Sequence, residues 1–122
     1  MIRGMRGAIT ADRNSEEAIL SATEELLTKM IETNQIHSDS VASILISTTE
    51  DLNATFPAKA LRKLEGWTYV PVMCMREIPV PGSLESCIRI MMHVNTEKEQ
   101  NEITHIYLKE AKVLRPDLGQ KN

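Results

Sequence analysis

Val41 to Thr48 reads Val-Ala-Ser-Ile-Leu-Ile-Ser-Thr, an isoleucine-rich apolar run of strand length. Such a run fits a strand buried on both faces. A sheet built around it has two faces to cover, and the chain has 122 residues with which to do so. That length suits one domain, here 1–122, and is tight for two.

Two segments carry helical signals. From Ser15 to Thr33, Ile19, Leu20, Leu26, Leu27, Met30 and Ile31 recur at helical spacing, with Glu16, Glu24, Glu25 and Glu32 elsewhere. Asn14 with Glu17 predicts a capping box, and Asn34 a left-handed terminator. Phe56-Pro57 opens a second, short helix, with Pro57 in its first turn and Gly66 at its C′ position. It carries Lys59, Arg62 and Lys63.

The other segments read as strands: Met1–Ala11, Trp67–Met75, Cys87–Val94 and Ile103–Leu114. Gly4 and Gly7 leave room for a close backbone neighbour in the first. Pro79–Ser83 is a turn, and Arg115-Pro116-Asp117 leads out of the sheet into a tail, 116–122, expected to be mobile. The order β-α-β-α-β-β-β predicts an α/β (α+β) fold, a single mixed sheet with one long and one short helix on one face. That leaves apolar surface bare, and oligomerisation is the natural remedy.

Composition narrows the function. Apolar residues are 42% of the chain, with one Phe, one Trp and two Tyr, so the core is aliphatic. The seven methionines, Met91-Met92 among them, read as core or interface filling. The net charge is -3, and no basic block interleaved with aromatics exists to draw a phosphate backbone; no nucleic-acid partner is expected. The apolar stretches Ser43–Ser47 and Cys87–Val94 are too short to span a bilayer, and no signal peptide opens the sequence. A cytoplasmic protein with no membrane partner is expected. Two cysteines make no disulfide framework. Cys74, Cys87, His93 and His105 would form a zinc site only if folding gathered them, and neither metal nor cofactor is expected.

The residues that could carry chemistry are dispersed. In Cys87–Val94 the side chains of Ile88, Ile90, Met92 and Val94 share one face, and Cys87, Arg89, Met91 and His93 the other. Arg89 thus stands mid-strand among apolar neighbours. A guanidinium keeps its charge, so a shielded one needs an anionic partner; the plain alternative is an edge arginine reaching solvent or a glutamate. Arg6 poses the same question between Gly4 and Gly7. Cys74 and Glu77 end another strand, a thiol and a carboxylate three residues apart. A nucleophilic Cys74 needs a neighbouring base, and no histidine is near in sequence, so a packed or hydrogen-bonding thiol is the simpler reading. Tyr107 is most simply an amphipathic strand residue, and Arg115 a surface charge.

Taken together, these residues resemble a known family. Ile2-Arg-Gly-Met-Arg-Gly-Ala8, Phe56-Pro-Ala-Lys-Ala60, Val70-Pro-Val-Met-Cys-Met-Arg-Glu77, Cys87-Ile-Arg-Ile-Met-Met92 and Val113-Leu-Arg-Pro-Asp-Leu118 are similar to the monofunctional, trimeric chorismate mutases of the α/β class. The likeness runs from Ile2 to about Leu118 without a gap. It implies rearrangement of chorismate to prephenate, the branch step toward phenylalanine and tyrosine. It also implies a homotrimeric pseudo α/β barrel with active sites at subunit interfaces. A Claisen-type rearrangement needs no proton transfer, nucleophile, metal or cofactor. It needs a dianion held in a compact chair and a fixed positive donor where charge develops on the ether oxygen.

By matched position, Arg89 resembles the arginine that contacts the ether oxygen and a carboxylate. Arg6 and Tyr107 resemble carboxylate-binding residues, and Glu77 with Cys74 the pair that hydrogen-bonds the ring hydroxyl. Phe56, Ala58 and Leu114 would line the pocket from a partner subunit or its flap. Lys59, Arg62 and Arg115 would add positive field at the mouth. Met73, bulkier than the small polar residue expected there, would contact substrate through its backbone. The alternatives to this enzyme are a non-catalytic trimeric sensor of small anions and a Cys74 thiol enzyme.

Overall fold

β1 (Ile2–Thr10) begins a chain whose computed structural model describes residues 1–114. It leads into α1 (Glu16–Asn34), β2 (Val41–Thr48) and a 3-10 helix, Pro57–Lys63. β3 (Val72–Arg76), β4 (Cys87–Asn95), the short β5 (Ile106–Tyr107) and a second 3-10 segment, Lys109–Leu114, complete it. The sheet is mixed and five-stranded in the order β3-β2-β4-β1-β5. β4 is central and antiparallel to β1 and β2, while β3 and β5 flank them in parallel. This is the α+β arrangement expected.

Register explains how the sheet divides its side chains. Ala8 pairs with Arg89 and with Tyr107, and Ser47 pairs with Arg89 and with Met75. Met75, Ser47, Arg89, Ala8 and Tyr107 therefore form one row across the sheet. The adjacent row, Cys74, Ile46, Ile90, Gly7 and Ile106, faces the opposite way. α1 covers that second face: Ile19, Leu26, Leu27 and Met30 are fully buried against Met5, Ile44, Ile46, Ile88, Ile90 and Met92. Gly7 lets the helix come close, since a Cβ there would stand 2.5 Å from the Met30 sulfur and 3.1 Å from Leu26 Cδ1.

The face carrying Arg89 has no such cover. Met73 and Met75 are 63% and 43% exposed, and Leu45 and Met91 only half-buried. The expectation that β2 is buried on both faces thus holds for one face, because one long helix covers one side of a sheet.

Several local expectations are corrected. The N-cap is Ser15, whose hydroxyl accepts from Ala18 N at 3.1 Å. Asn14 instead takes the amides of Asn53 and Ala54, both at 3.0 Å, and clamps the loop leading to Phe56. The left-handed terminator is Gln35 (φ 53°), and Asn34 is a buried helix residue. The second helix is 3-10 and closes before Gly66, whose φ of 88° turns the chain so that Trp67 enters the core. Trp67 to Val70 is a turn, closed by Val70 N on Trp67 O, so β3 starts only after Pro71. The extended segment expected at Ile103–Leu114 shrinks to Ile106–Tyr107, because Lys109 (φ 54°) turns the chain into a 3-10 helix. Arg115 and the tail 116–122 lie outside the described residues.

Candidate active site

The row through β4 gathers the first group. Arg89 extends from the centre of the sheet, and its Nε lies 3.3 Å from Glu77 Oε2, each side chain about one-quarter exposed (25% and 26%). Glu77 is placed from three sides. Ile78 N donates to its Oε1 at 3.0 Å, Ser47 Oγ donates to its Oε2 at 3.3 Å, and its own amide donates to Thr48 O at 2.8 Å. Tyr107, 1% exposed, packs with Ala8, Cys87, Ala111 and Leu114 on the same face. Arg6, beside Ala8 on that face, is half-buried, and among the described residues no carboxylate pairs with it.

Two buried polar atoms here have no hydrogen-bond partner among the described residues: Arg89 Nε, whose approach to Glu77 is misaligned, and the Tyr107 hydroxyl. Buried donors are nearly always satisfied. A pair of them on one sheet face, beside the half-buried Arg6 that meets no carboxylate among the described residues, makes a cradle of donors left unmatched within the described chain. Cys87 lies beneath it. Burial pushes its thiol up, while Arg89 and more weakly Arg6 draw it down.

A second group lies elsewhere. Phe56, Ala58, Lys59, Arg62, Met73 and Cys74 line a groove of about 780 Å³ floored by Trp67 and Val72. Phe56 is 69% exposed and Arg62 exposed. Lys59 is held by Glu16, its Nζ 2.9 Å from Oε2; that bond and a second from Thr55 keep the Glu16 carboxyl below its usual range. Burial pushes the Cys74 thiol up, opposed by the amide of Ala58.

The two groups correct the expected pairings. Cys74 does not stand beside Glu77: Cys74 shares a row with Ile46, on the face opposite Ser47 and Arg89, and it packs against the helix-side core. Alternation in β3 makes this unavoidable, because residues three apart point to opposite faces. Leu114 belongs with Tyr107 rather than with Phe56 and Ala58. Arg6, Glu77, Arg89 and Tyr107 lie on one face of the sheet. Cys74 likewise stays apart from Cys87 and His93, which point to the Arg89 face. Among the described residues no His, Cys, Asp and Glu side chains cluster as a metal site.

Ser47 went unnoticed in the sequence. Its signal is there in outline, since Ser43 and Ser47 of β2 break the apolar run with hydroxyls on the face they share with Leu45.

Comparison with known proteins bears on this geometry. The family described as chorismate mutase type I matches residues 2–118. Over 119 residues the chain is 54% identical to the chorismate mutase AroH of Bacillus subtilis, covering 98% of this chain and 94% of that protein. It is 49% identical, again over 119 residues, to the chorismate mutase AroH of Thermus thermophilus, covering 97% of each. A solved chorismate mutase from Clostridium thermocellum superposes with a TM-score of 0.88 at 50% identity, over 91% of this chain and 98% of that one.

Proposed function

The chain belongs to the chorismate mutase type I family and is a chorismate mutase, an isomerase, and from that premise we propose how its residues divide the work. The substrate is chorismate and the product prephenate. The reacting dianion sits between the Arg6, Glu77, Arg89 and Tyr107 group of one subunit and the Phe56–Cys74 groove of the next, in a homotrimer.

The observation that carries this reading is the separation of the two groups. Each is half a site: one supplies cations and buried donors, the other an apolar wall with Arg62 at its rim. Within one chain they are separated, the groove lying at the β3 edge and the cradle around β4 and β1, on a sheet whose donor face is uncovered by its own helix. A neighbouring copy that covers this face brings its groove to the cradle. Burial of Met73, Met75, Leu45 and Met91 would drive the association.

Within the seam the chemistry is positioning and electrostatics. Arg89, its Nε side turned to Glu77 and its guanidinium part-exposed, donates to the ether oxygen as the C–O bond lengthens and negative charge grows there. A fixed donor of this kind in a shielded site stabilises the transition state more than the ground state. Arg6 and the Tyr107 hydroxyl bind carboxylates and hold the side chain over the ring in the chair the reaction needs. Glu77 accepts from the ring hydroxyl with Oε1, which also takes the Ile78 amide, its Oε2 being turned to Ser47 and Arg89, and the Cys74 thiol approaches the same hydroxyl from the facing subunit. Met73 contacts substrate through its backbone. Leu114 packs behind Tyr107 in the subunit that supplies the cradle, while Phe56 and Ala58 close the opposite wall. Lys59, Arg62 and Arg115 raise the local concentration of the dianion.

No helix among the described residues is long and apolar enough to cross a membrane, and the assignment that accompanies this reading is a single-domain cytoplasmic enzyme. The decisive experiment follows chorismate loss and prephenate formation with purified protein, in the presence and absence of a chelator. Turnover at equal rates in both is expected. Tight dicarboxylate binding with no turnover would make the protein a sensor instead.

A further inference from the structure

We infer that His105 is a positioning residue for Arg6, its imidazole standing in for a missing main-chain acceptor at the edge where Arg6 reaches toward the substrate. This rests on the reading of Arg6 as a substrate-binding arginine.

β1 and β5 run parallel with Gly7 opposite Ile106 and Ala8 opposite Tyr107, and Leu108 N donates to Ala8 O at 2.9 Å. Main-chain groups alternate in direction along a strand, so Arg6, two residues back, turns its N–H to the same edge as Ala8. Continued by one more pair, the parallel ladder would give that N–H the carbonyl of Thr104. That carbonyl is taken. It accepts from Asn34 Nδ2 at 2.9 Å, while Thr104 N donates to Asn34 Oδ1 at 2.9 Å. Asn34 is 2% exposed and is tied to its own helix by a bond from Nδ2 to Met30 O at 3.1 Å. The end of α1 thus draws Thr104 out of the ladder.

The next residue fills the gap. His105 Nδ1 accepts from Arg6 N at 2.9 Å. The ring therefore carries no proton on Nδ1, and the position of the Arg6 main chain at this edge depends on a side chain. His105 also lies two residues before Tyr107, so a single imidazole fixes both carboxylate-binding groups relative to each other. Without an acceptor, the half-buried Arg6 N–H would seek another partner and the strand edge would shift. Misplacement of a binding group by about 1 Å costs on the order of 100-fold in rate.

The test compares His105→Phe, His105→Asn and Arg6→Ala with the native enzyme. Phe keeps the ring's bulk without the acceptor; Asn places Oδ1 close to where Nδ1 stands. His105→Phe is expected to lose roughly 10- to 100-fold in kcat/KM, with kcat falling and KM rising, and His105→Asn to recover most of it. In the native protein the Arg6 amide nitrogen and His105 Nδ1 should show a scalar coupling across the hydrogen bond by NMR, absent in His105→Phe. Native kinetics in His105→Phe, with Arg6→Ala impaired, overturns the inference and leaves the role of Arg6 standing. An unimpaired Arg6→Ala instead sinks the reading of Arg6 itself. Equal losses in the Phe and Asn variants that follow their melting temperatures would reduce His105 to a fold residue and also overturn the proposal. If the Phe variant fails to fold, the native coupling and the Asn kinetics decide alone.

Discussion

Arg89 Nε and Glu77 Oε2 stand 3.3 Å apart without a well-aligned hydrogen bond between them. The pair is close enough to balance charge, yet the arginine side chain as a whole stays one-quarter exposed on the open face of the sheet. Glu77 owes its place to Ser47 and to the amide of Ile78 as much as to Arg89. That division of labour lets the two residues be tested separately.

Arg89→Gln should keep the fold, since the side chain is partly exposed and Gln retains a polar head. Its kcat should fall by about 100-fold or more, on the order of 3 kcal/mol of transition-state stabilisation. Stopped assays over a range of chorismate concentrations separate this from a change confined to KM, which would contradict the assigned role.

Tyr107→Phe removes a buried hydroxyl that has no partner in the described chain. Loss of an unsatisfied polar group is neutral or stabilising, so the melting temperature should hold or rise. Chorismate binding should weaken by roughly tenfold, the worth of one hydrogen bond to a charged group. A destabilised variant with unchanged KM would mean the hydroxyl serves the fold.

Two inactive variants should rescue each other. Arg89→Gln damages the cradle, and Phe56→Asp places a carboxylate in the groove wall where a dianion must bind. Refolded together in equal amounts, subunits assemble at random, and about one seam in four joins an intact cradle to an intact groove. Activity near a quarter of native is expected. No recovery beyond the sum of the separate variants would place the site inside one subunit.

Cys74→Ser should retain most activity, because the proposed chemistry uses the thiol as a hydrogen-bonding group. Burial raises the thiol above its ordinary value, so at neutral pH it stays protonated, and the thiolate fraction grows only as pH climbs past the usual cysteine range. Iodoacetamide labelling should therefore be slower than for free cysteine at pH 7 and accelerate at alkaline pH. Rapid labelling at pH 7 with parallel loss of activity, and an inactive Cys74→Ser, would favour a thiol mechanism.

Much of this was legible in residue order. The alternation in Cys87–Val94 placed Arg89 on the correct face, and the apolar run gave β2 its observed bounds, Val41–Thr48. Other features arise from contacts distant in sequence. Asn14 makes a good cap on paper, but the Asn53–Ala54 amides across the molecule claim it. The span after Ile103 has strand-forming residues throughout, and the positive φ at Lys109 ends the strand early. Residues three apart in extended chain face opposite ways, so residue order alone separates Cys74 from Glu77 within one subunit. The bond from Arg6 N to His105 carries no local signal, because it joins residues 99 apart beside an Asn34 contact to Thr104 that is also distant in sequence.

Gly7 links these observations. Its missing Cβ admits Met30 and Leu26 on the helix face, while Arg6 and Ala8 point the other way into the cradle. A side chain added at this position would meet the Met30 and Leu26 side chains, which would have to give way on the helix face. One strand thus carries two duties at adjacent residues: its helix face seats the core through Gly7, and its open face presents Arg6 and Ala8 to the proposed seam.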